Sequence, residues 1–556
     1  MKKLALVFLI LIIAKIFLSI MIPSPSAFSD EYTYSKLARS FFYEQEFTIH
    51  GIQDKHRYPP LYPMIISPAY IAENMNFVYI IIKIINVILS TLIIIPLYLL
   101  AKEFVSKDKA LLISTTISLI PAIFSFSPYI LSENLFYTLV AFTVYFTYKL
   151  FTKNKIKYAL ATGLFIGLSY LTKNIGLILI LLPITGLIIN QKDKKLIRNI
   201  LISYIPIILL ISMWIVRNYL LFGPTLAGIF GNVGNDDITS IVRDRNYFLV
   251  LINWLILYSG YIIIGSGILP SIGIFNALKS ENKNLKKLTI IGIVTIILFI
   301  LVSANHATGA RGQDNPVYDS PFSNIFTERP IGRYVDAALP VLMIIGLIGL
   351  VYPEKMKIQK YIITFIALIS TQLIIAPLFP VNNLSLAHIG IIKYIIDFIT
   401  KTSGFSWFVF ILMAILILFI TIGMQLLYKK YKLKVFYILA IIFLLTSLLN
   451  YGITYYNAKS GWYDKPQMQI GLWFNEYDKE TSNTLIDKKY EGKITKDDQN
   501  ALHDKEFFTP LGFWLNDNIK IGDINNTKDI DYIITKNKLK LELIKNIGDI
   551  YIYKNG

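Results

Sequence analysis

Two stretches of the first loop decide how the whole chain is interpreted: Ser29-Asp30-Glu31-Tyr32-Thr33-Tyr34 and His56-Arg57-Tyr58-Pro59-Pro60-Leu61-Tyr62-Pro63. The first follows directly on an apolar segment and places two adjacent carboxylates within a few residues of its end. Loops that carry charged and aromatic residues beside a rigid scaffold are common places for binding and catalysis. The surrounding sequence shows what kind of scaffold this is.

The composition is that of a membrane protein. Hydrophobic residues make up 54% of the 556 residues and the mean hydropathy is +0.55, beyond the usage of soluble domains. The absence of cysteine excludes disulfides and thiolate zinc sites. The formal charge of +18 does not indicate nucleic-acid binding, because the tail from Lys459 holds 15 Lys against 16 Asp and Glu. The basic excess therefore lies in short loops between apolar segments, where it orients membrane spans.

About 13 apolar segments are predicted to span the membrane. They cover residues 4–22, 77–101, 109–127, 131–150, 157–172, 175–190, 199–218, 247–275, 288–304, 334–352, 361–380, 405–428 and 434–456. The first follows Met1-Lys2-Lys3 and ends without a small-residue cleavage site, which predicts an uncleaved helix.

Lysine-rich loops alternate with irregular loops along the chain. The positive-inside rule places the lysine clusters and the N-terminus in the cytoplasm. The outer face then holds the Gly-, Asn-, Asp- and Pro-containing loops 23–76, 219–246, 305–333 and 381–404.

The first outer loop contains a candidate helix. Apolar residues from Tyr34 to Phe42 recur at helical spacing, while Lys36, Arg39 and Glu44 fall on other faces. This pattern predicts a helix that lies in the membrane interface rather than crossing it.

The chain is predicted to divide into a membrane domain, residues 1–457, and a small extracytoplasmic α/β domain, residues 458–556. Residues 466–477 have a helical pattern. Alternating stretches at 531–536 and 540–545 predict strands, and a turn at 546–549 leads into a further strand at 550–554, which makes a hairpin.

The motifs of the first loop resemble those of polyprenyl-phosphate-dependent membrane glycosyltransferases. An Asp-Glu-x-x-Tyr stretch, here Asp30–Tyr34, and a Tyr-Pro-Pro-Leu-Tyr stretch, here Tyr58–Tyr62, are similar to those of the protein O-mannosyltransferases and aminoarabinose transferases (glycosyltransferase family 39). The resemblance implies a polytopic α-helical GT-C fold. Tyr58 stands where aminoarabinose transferases have a lysine, so their lipid A substrate is not carried over.

Asp30 and Glu31 are the candidate catalytic residues. Sugar transfer needs a base that takes the proton of the acceptor hydroxyl, and the resemblance gives that role to the Asp of the pair. The alternative is two solvated loop acids. The resemblance also implies that tyrosines line the substrate site: Tyr32, Tyr34, Tyr58, Tyr62 and Tyr334.

Glu133 begins the fourth predicted span on the outer side, where related enzymes place a second acid. Together with Asp30 it would hold a divalent cation, or by itself it would position the acceptor. The alternative is an acid that complements a helix dipole. A divalent metal is therefore the one cofactor that the sequence suggests.

Cations on the outer face are candidates for binding the donor phosphate, because the leaving group develops negative charge. They are Arg57, His56, Lys173, Arg217 and Arg333. The last three lie in stretches that look like landmarks of the same family. The alternative is side chains that anchor the helix ends at the lipid headgroups.

Together these features predict a multi-pass cell-membrane glycosyltransferase. It would move a sugar from a polyprenyl-phosphate donor to a hydroxyl of a protein, lipid or glycan acceptor at the outer face, inverting the anomeric carbon. A lipid-linked saccharide flippase or other transporter is the alternative, and a non-catalytic membrane scaffold is a second. Charges near the outer ends of the spans, rather than at the midplane, favour the enzyme.

Overall fold

The computed structural model describes residues 2–26, 28–49, 56–189, 193–224, 247–309, 332–352, 363, 407–478, 482–487, 489–490, 493–494, 507–524 and 529–555. The outer loops 219–246, 305–333 and 381–404 fall mainly or wholly outside these residues, as does the predicted span 361–380. The predictions made for them stay predictions.

The described chain is mainly helical. Its α-helices, in order, are α1 (Lys2–Ile20), α2 (Phe28–Glu44), α3 (Leu61–Ile66), α4 (Met75–Thr91), α5 (Ile94–Ala101), α6 (Lys107–Ser118), α7 (Pro121–Phe124), α8 (Glu133–Lys153), α9 (Ile156–Thr172), α10 (Thr185–Ile189), α11 (Lys194–Phe222), α12 (Tyr247–Gly265), α13 (Leu269–Lys279), α14 (Lys283–Gly309), α15 (Gly332–Val335), α16 (Leu339–Val351), α17 (Trp407–Tyr431), α18 (Val435–Ala458), α19 (Pro466–Tyr477) and α20 (Phe508–Phe513). Short 3-10 helices cover Ser67–Ala72, Asn174–Leu181, Asp336–Ala338 and Lys432–Lys434.

Within the described residues, seven helical segments are long and apolar enough to cross a membrane, or up to eight if a bent pair counts as one span. They are Lys2–Ile20, Met75–Ala101, Glu133–Lys153, Lys194–Phe222, Lys283–Thr308, Gly332–Val351 and Ile415–Tyr463, with the pair Val250–Gly265 and Leu269–Lys279. The polytopic helical fold is confirmed, and the count of 13 spans stays a prediction.

Three predicted spans are broken in the structure, and each break has a local cause. Residues 109–127 form α6 and α7, separated before Pro121, because the residue preceding a proline avoids the helical conformation. Residues 247–275 bend by 97°, because Gly267 and Ile268 both adopt positive φ angles, which end a helix. Residues 175–190 divide into a 3-10 helix and α10.

The described chain forms two compact units, both discontinuous in sequence. The first comprises Met1–Ile12, Leu89–Phe126 and Glu133–Asn450, and the second comprises Ile13–Ile88, Ser127–Ser132 and Tyr451–Gly556. The second unit therefore combines the first loop with the tail.

In the first unit, α13 and α16 approach each other through glycines. A β-carbon placed on Gly346 would overlap the carbonyl of Pro270, and one placed on Gly273 would overlap the carbonyl of Gly346. Small residues allow such close backbone packing where lipid provides little hydrophobic driving force between helices.

In the second unit, the tail folds into a sheet with strand order β4-β1-β5-β7-β6. The strands are β1 (Asn483–Asp487), β4 (Asn518–Gly522), β5 (Tyr532–Thr535), β6 (Glu542–Ile547) and β7 (Ile550–Lys554), and β2 (Lys489–Tyr490) pairs separately with β3 (Lys493–Ile494). β1 is parallel to β4 and β5, while β6 and β7 form an antiparallel hairpin. Side chains of α19 and α20, such as Phe474 and Leu511, bury the apolar face of the sheet. The predicted α/β tail, its helix and its hairpin are confirmed.

Helix α2 differs from its prediction. All residues from Glu31 to Ser40 are buried, including Lys36 at 0% and Arg39 at 2% exposure. Lys36 and Arg39 therefore do not form the solvent-exposed cationic face that is expected of a helix lying at the membrane interface. Its cations are buried because they bind the tail, as described below.

We expect Gly346→Ala to destabilise the protein by about 1–3 kcal/mol, because an added methyl would force apart tightly packed backbones. The apparent melting temperature of purified protein in detergent measures this. Gly423→Ala is the matched control, since a β-carbon there meets no described atom within 4 Å. Equal melting temperatures for the two variants would contradict the packing described here.

Candidate active site

Asp30 and Glu31 lie in the first turn of α2 and have opposite environments. Glu31 is 0% exposed. Its Oε2 accepts a hydrogen bond from the backbone N–H of Ser26 at 2.9 Å, and its Oε1 accepts one from the N–H of Ile130 at 3.0 Å. Asp30 is half-buried, and its Oδ1 accepts a hydrogen bond from the Tyr58 hydroxyl at 3.1 Å. Glu31 therefore holds two backbone segments in place through its carboxylate, whereas the Asp30 side chain is partly accessible.

Aromatic side chains of the first loop surround this pair. The Tyr34 ring lies 5.2 Å from that of Tyr58 and 5.1 Å from that of Tyr62, while His56 packs edge-on against Tyr58 at 4.3 Å. Tyr34 donates to Ser132 Oγ at 3.0 Å, and Tyr62 donates to Asn86 Oδ1 at 2.9 Å. The structure thus brings three of the predicted tyrosines together beside Asp30, and of these Tyr58 is half-buried whereas the other two are buried.

Other predicted residues of the first loop have different settings. Tyr32 is 3% exposed and packs against Gly512 of the tail, which is a packing role. His56 and Arg57 are half-buried, and His56 Nδ1 accepts a hydrogen bond from the backbone N–H of Tyr58 at 3.3 Å.

In the first unit, Glu133, Lys173 and Arg333 form a buried charge cluster. Glu133 begins α8 at 1% exposure. Its carboxylate forms a short ion pair with Lys173 Nζ, and the Nε of Arg333 lies 3.6 Å from the same oxygen. The Tyr137 hydroxyl donates to the Arg333 carbonyl at 2.9 Å. Both cations thus face the same carboxylate, and the fully buried Asp336 also interacts electrostatically with Glu133 and Lys173.

Tyr334 covers the cations of this cluster. Lys173 Nζ lies 4.7 Å from the centre of its ring, and the guanidinium carbon of Arg333 lies 5.8 Å away. His306, at the end of α14, packs its ring 4.9 Å from that of Tyr334. Cations over aromatic faces gain electrostatic stabilisation. A small cavity adjoins the cluster and is lined by Glu133, Tyr137 and Ser90 among others.

Arg217 has its described contacts near the end of its own helix. Its guanidinium carbon lies 4.2 Å from the Trp214 ring, and its Nη1 donates to Asn218 Oδ1 at 2.9 Å. This stacking fits an anchor at the end of α11 as well as a phosphate ligand, and its phosphate role stays a prediction.

Several further charged side chains, which the sequence motifs do not include, are buried. Lys15, inside α1, is 1% exposed. Lys83 on α4 donates to the carbonyl of Ile22 at 3.0 Å and lies 4.0 Å from the Tyr79 ring. Asp336 is 0% exposed and accepts a hydrogen bond from Tyr261 at 2.8 Å. Lys15 was detectable as a charge in the middle of an apolar run, which is by default a functional signal.

The described part of the chain contains no dense cluster of side chains that could ligate a metal ion. No group of three or more His, Asp or Glu side chains there could hold an ion. The prediction of a divalent cation held by Asp30 and Glu133 is not tested by this.

The chain is similar to known proteins in part of its sequence and in its fold. Residues 58–217 match the family model of the dolichyl-phosphate-mannose-protein mannosyltransferases. The search of curated proteins gives no match.

Two solved structures share the fold over nearly the whole chain. ArnT from Cupriavidus metallidurans bound to undecaprenyl phosphate is 12% identical, with a TM-score of 0.57 over 99% of this chain and 97% of that one. The apo state of the same protein is also 12% identical, with a TM-score of 0.54 over 99% and 98%. The predicted resemblance is therefore confirmed: the mannosyltransferase family model matches part of the chain, and the fold is shared with ArnT over nearly its whole length.

The charge cluster gives a stability prediction. Glu133→Gln leaves Lys173 and Arg333 as buried like charges, and loss of one partner of a buried pair costs about 3–5 kcal/mol. We expect a large fall in the melting temperature of the purified protein, partly reversed by adding Lys173→Gln.

Glu103→Gln is the control, because it breaks a more exposed pair in which Lys149 Nζ lies 2.6 Å from Glu103, with the Glu103 side chain 26% exposed. A fall for Glu133→Gln no larger than that for Glu103→Gln would show that the cluster is not held by its carboxylate.

Proposed function

We propose that the chain is an integral membrane glycosyltransferase that transfers a sugar from a polyprenyl-phosphate donor to an acceptor hydroxyl at the outer face of the membrane. The acceptor oxygen attacks the anomeric carbon, the bond from that carbon to the phosphate oxygen breaks, and polyprenyl phosphate leaves. The acceptor proton goes to Asp30, and a single displacement of this kind inverts the anomeric carbon. The donor is lipid-linked, and the acceptor is a protein, lipid or glycan.

The observation that carries this proposal is the difference between the two adjacent carboxylates. Both oxygens of Glu31 accept backbone hydrogen bonds, so its lone pairs are engaged in structure. Asp30 is half-buried, is oriented by Tyr58, and has neighbouring aromatic rings that can contact a sugar. One positioned and accessible carboxylate is what general-base catalysis requires. Glu31 is then a positioning residue rather than a second base.

The donor phosphate needs fixed cations, and the cluster of the first unit supplies candidates. Lys173 and Arg333 both lie beside Glu133 and under the ring of Tyr334, so the cluster holds two fixed cations. Preorganised cations stabilise charge that develops on a leaving phosphate. The match to ArnT supports this role, since one structure of that protein contains undecaprenyl phosphate. Glu133 would hold these cations in place, or would bind a divalent ion with Asp30.

The central test is Asp30→Asn, which keeps the shape of the side chain and removes the proton acceptor. Transfer should fall about 10²–10⁴-fold, the range of general-base contributions, with donor binding little changed. The assay uses purified protein in detergent with a panel of polyprenyl-phosphate sugars and acceptors. Asp108→Asn is the control, since that carboxylate belongs to an exposed surface pair.

The detergent assay also separates the enzyme from a transporter, because detergent leaves no two compartments to move a substrate between. Wild-type protein that is inert toward the whole panel, or Asp30→Asn that keeps the normal rate, would overturn the catalytic role. A chelator arm tests the metal: transfer that is lost with chelator and restored by a divalent ion supports it, and full activity in excess chelator removes it.

The membrane orientation of the chain can also be tested, and its prediction rests on the alternation of lysine-rich loops with irregular loops. The natural sequence has no cysteine, so single cysteines report cleanly. Ser106→Cys and Lys283→Cys should resist an impermeant thiol reagent in intact cells, whereas Lys538→Cys and Lys540→Cys should be labelled; all four positions are exposed. Labelling at Ser106→Cys in sealed cells would reverse the proposed orientation.

A further inference from the structure

Two cations on α2 are buried against the segment of the tail that follows α20. Lys36 Nζ donates to the carbonyl of Leu515 at 2.6 Å. The Nη2 of Arg39 donates to the Asn516 carbonyl at 2.8 Å, and its Nε donates to the Asn516 side-chain oxygen at 2.9 Å. All of these residues belong to the second unit.

Burial of these two cations costs desolvation free energy, so it requires hydrogen-bond partners at defined positions. Burial lowers the pKa of Lys36 well below its ordinary value, and Arg39 lowers it further while Asp517 opposes the shift. Burial likewise raises the pKa of Asp517 to about 7. Buried charges are tolerated only when hydrogen-bonded or paired. The carbonyls of Leu515 and Asn516, in the segment after α20, supply these hydrogen bonds.

Apolar packing surrounds the two cations. A β-carbon on Gly512 would lie 3.1 Å from the Tyr32 ring, so the ring rests directly on this glycine. Tyr79 packs edge-on against Phe513 and Trp514, at 5.7 and 5.8 Å. Tyr32, Lys36 and Arg39 are spaced four and three residues apart, so they lie on one face of α2. The tail therefore contacts that face of α2 over about two helical turns.

We propose that Lys36 and Arg39 are positioning residues through which the tail sets the place of Asp30 for the transfer reaction. The inference rests on the proposed catalytic role of Asp30. Lys36 stands six residues after Asp30 on the same helix, about 9 Å along its axis. A short helix moves as a rigid piece, so a shift or rotation at Lys36 reaches Asp30. Displacement of a reacting group by about 1 Å costs on the order of 10²-fold in rate.

The test is a double-mutant cycle between α2 and the tail. Arg39→Met removes the guanidinium, and Asn516→Ala removes only a side chain and keeps the carbonyl that accepts from Arg39. Each should lower kcat, Arg39→Met by about 10–100-fold, with the KM for the polyprenyl-phosphate donor little changed. The losses should be less than additive in the double variant, because both substitutions remove the bond from Arg39 Nε to the Asn516 side-chain oxygen. They need not be fully redundant, since Asn516 Nδ2 also donates to the Tyr43 hydroxyl and the Glu73 carbonyl.

Two further variants bracket the effect. Arg39→Lys keeps the charge and should restore part of kcat, although it cannot reproduce the forked contact. Lys538→Met is the matched control, since Lys538 is an exposed cation of the same tail, and it should leave kcat unchanged. Additive losses in the double variant, or a fall in kcat for Lys538→Met as large as for Arg39→Met, would overturn the proposal.

Hydrogen–deuterium exchange of the full-length protein gives a readout that does not depend on activity. Arg39→Met and Asn516→Ala should speed amide exchange in α2, while exchange in β1, β5 and β7 stays slow. Unchanged exchange in α2 overturns the proposal, and so does equally faster exchange throughout in both variants, which would indicate general destabilisation. If wild-type protein lacks transferase activity but α2 loosens as expected, the anchor stands and the proposed function fails.

Discussion

A buried carboxylate must receive hydrogen bonds, and Glu31 receives them from two separate pieces of backbone. The N–H groups of Ser26 and Ile130 bind its two oxygens, so one side chain ties the start of α2 to the connection after α1 and to the segment before α8. Leaving either donor unpaired would cost about 1–3 kcal/mol. Because Asp30 is next to Glu31 in the chain, these bonds also fix the position of its backbone, while its own carboxylate accepts from Tyr58 instead. That separation of roles between adjacent acids is the basis for assigning the chemistry to Asp30.

Each unit of the chain solves the problem of buried charge in its own way. In the second unit, Lys36, Arg39 and Lys83 donate to main-chain carbonyls, and Arg39 Nη1 also lies 3.7 Å from a carboxylate oxygen of Glu44. In the first unit, Lys173 and Arg333 are paired with Glu133 and covered by Tyr334. Carbonyl-bound cations suit a structural anchor, whereas cations grouped around one site suit an anionic ligand.

Features that follow from local sequence were predictable, and features that need partners distant in sequence were not. The hairpin of β6 and β7 and the helix Pro466–Tyr477 were read from alternation and periodicity. The parallel pairing of β1 with β4 and β5 was missed, because it joins segments separated by long connections. Lys36 and Arg39 were predicted to lie on the solvent-exposed face of an interfacial helix, because the local sequence does not show that the tail buries them. The motif located the Asp30–Glu31 pair, but only the hydrogen bonds of the structure separate the two acids.

The stereochemistry of transfer tests the central claim most directly. In the proposed function Asp30 is the base for one displacement, so no covalent sugar–enzyme intermediate should form. Nuclear magnetic resonance of the anomeric centre in donor and product should therefore show inversion. A product with retained configuration would contradict a single displacement assisted by Asp30, because retention requires a second nucleophile on the protein or a different mechanism.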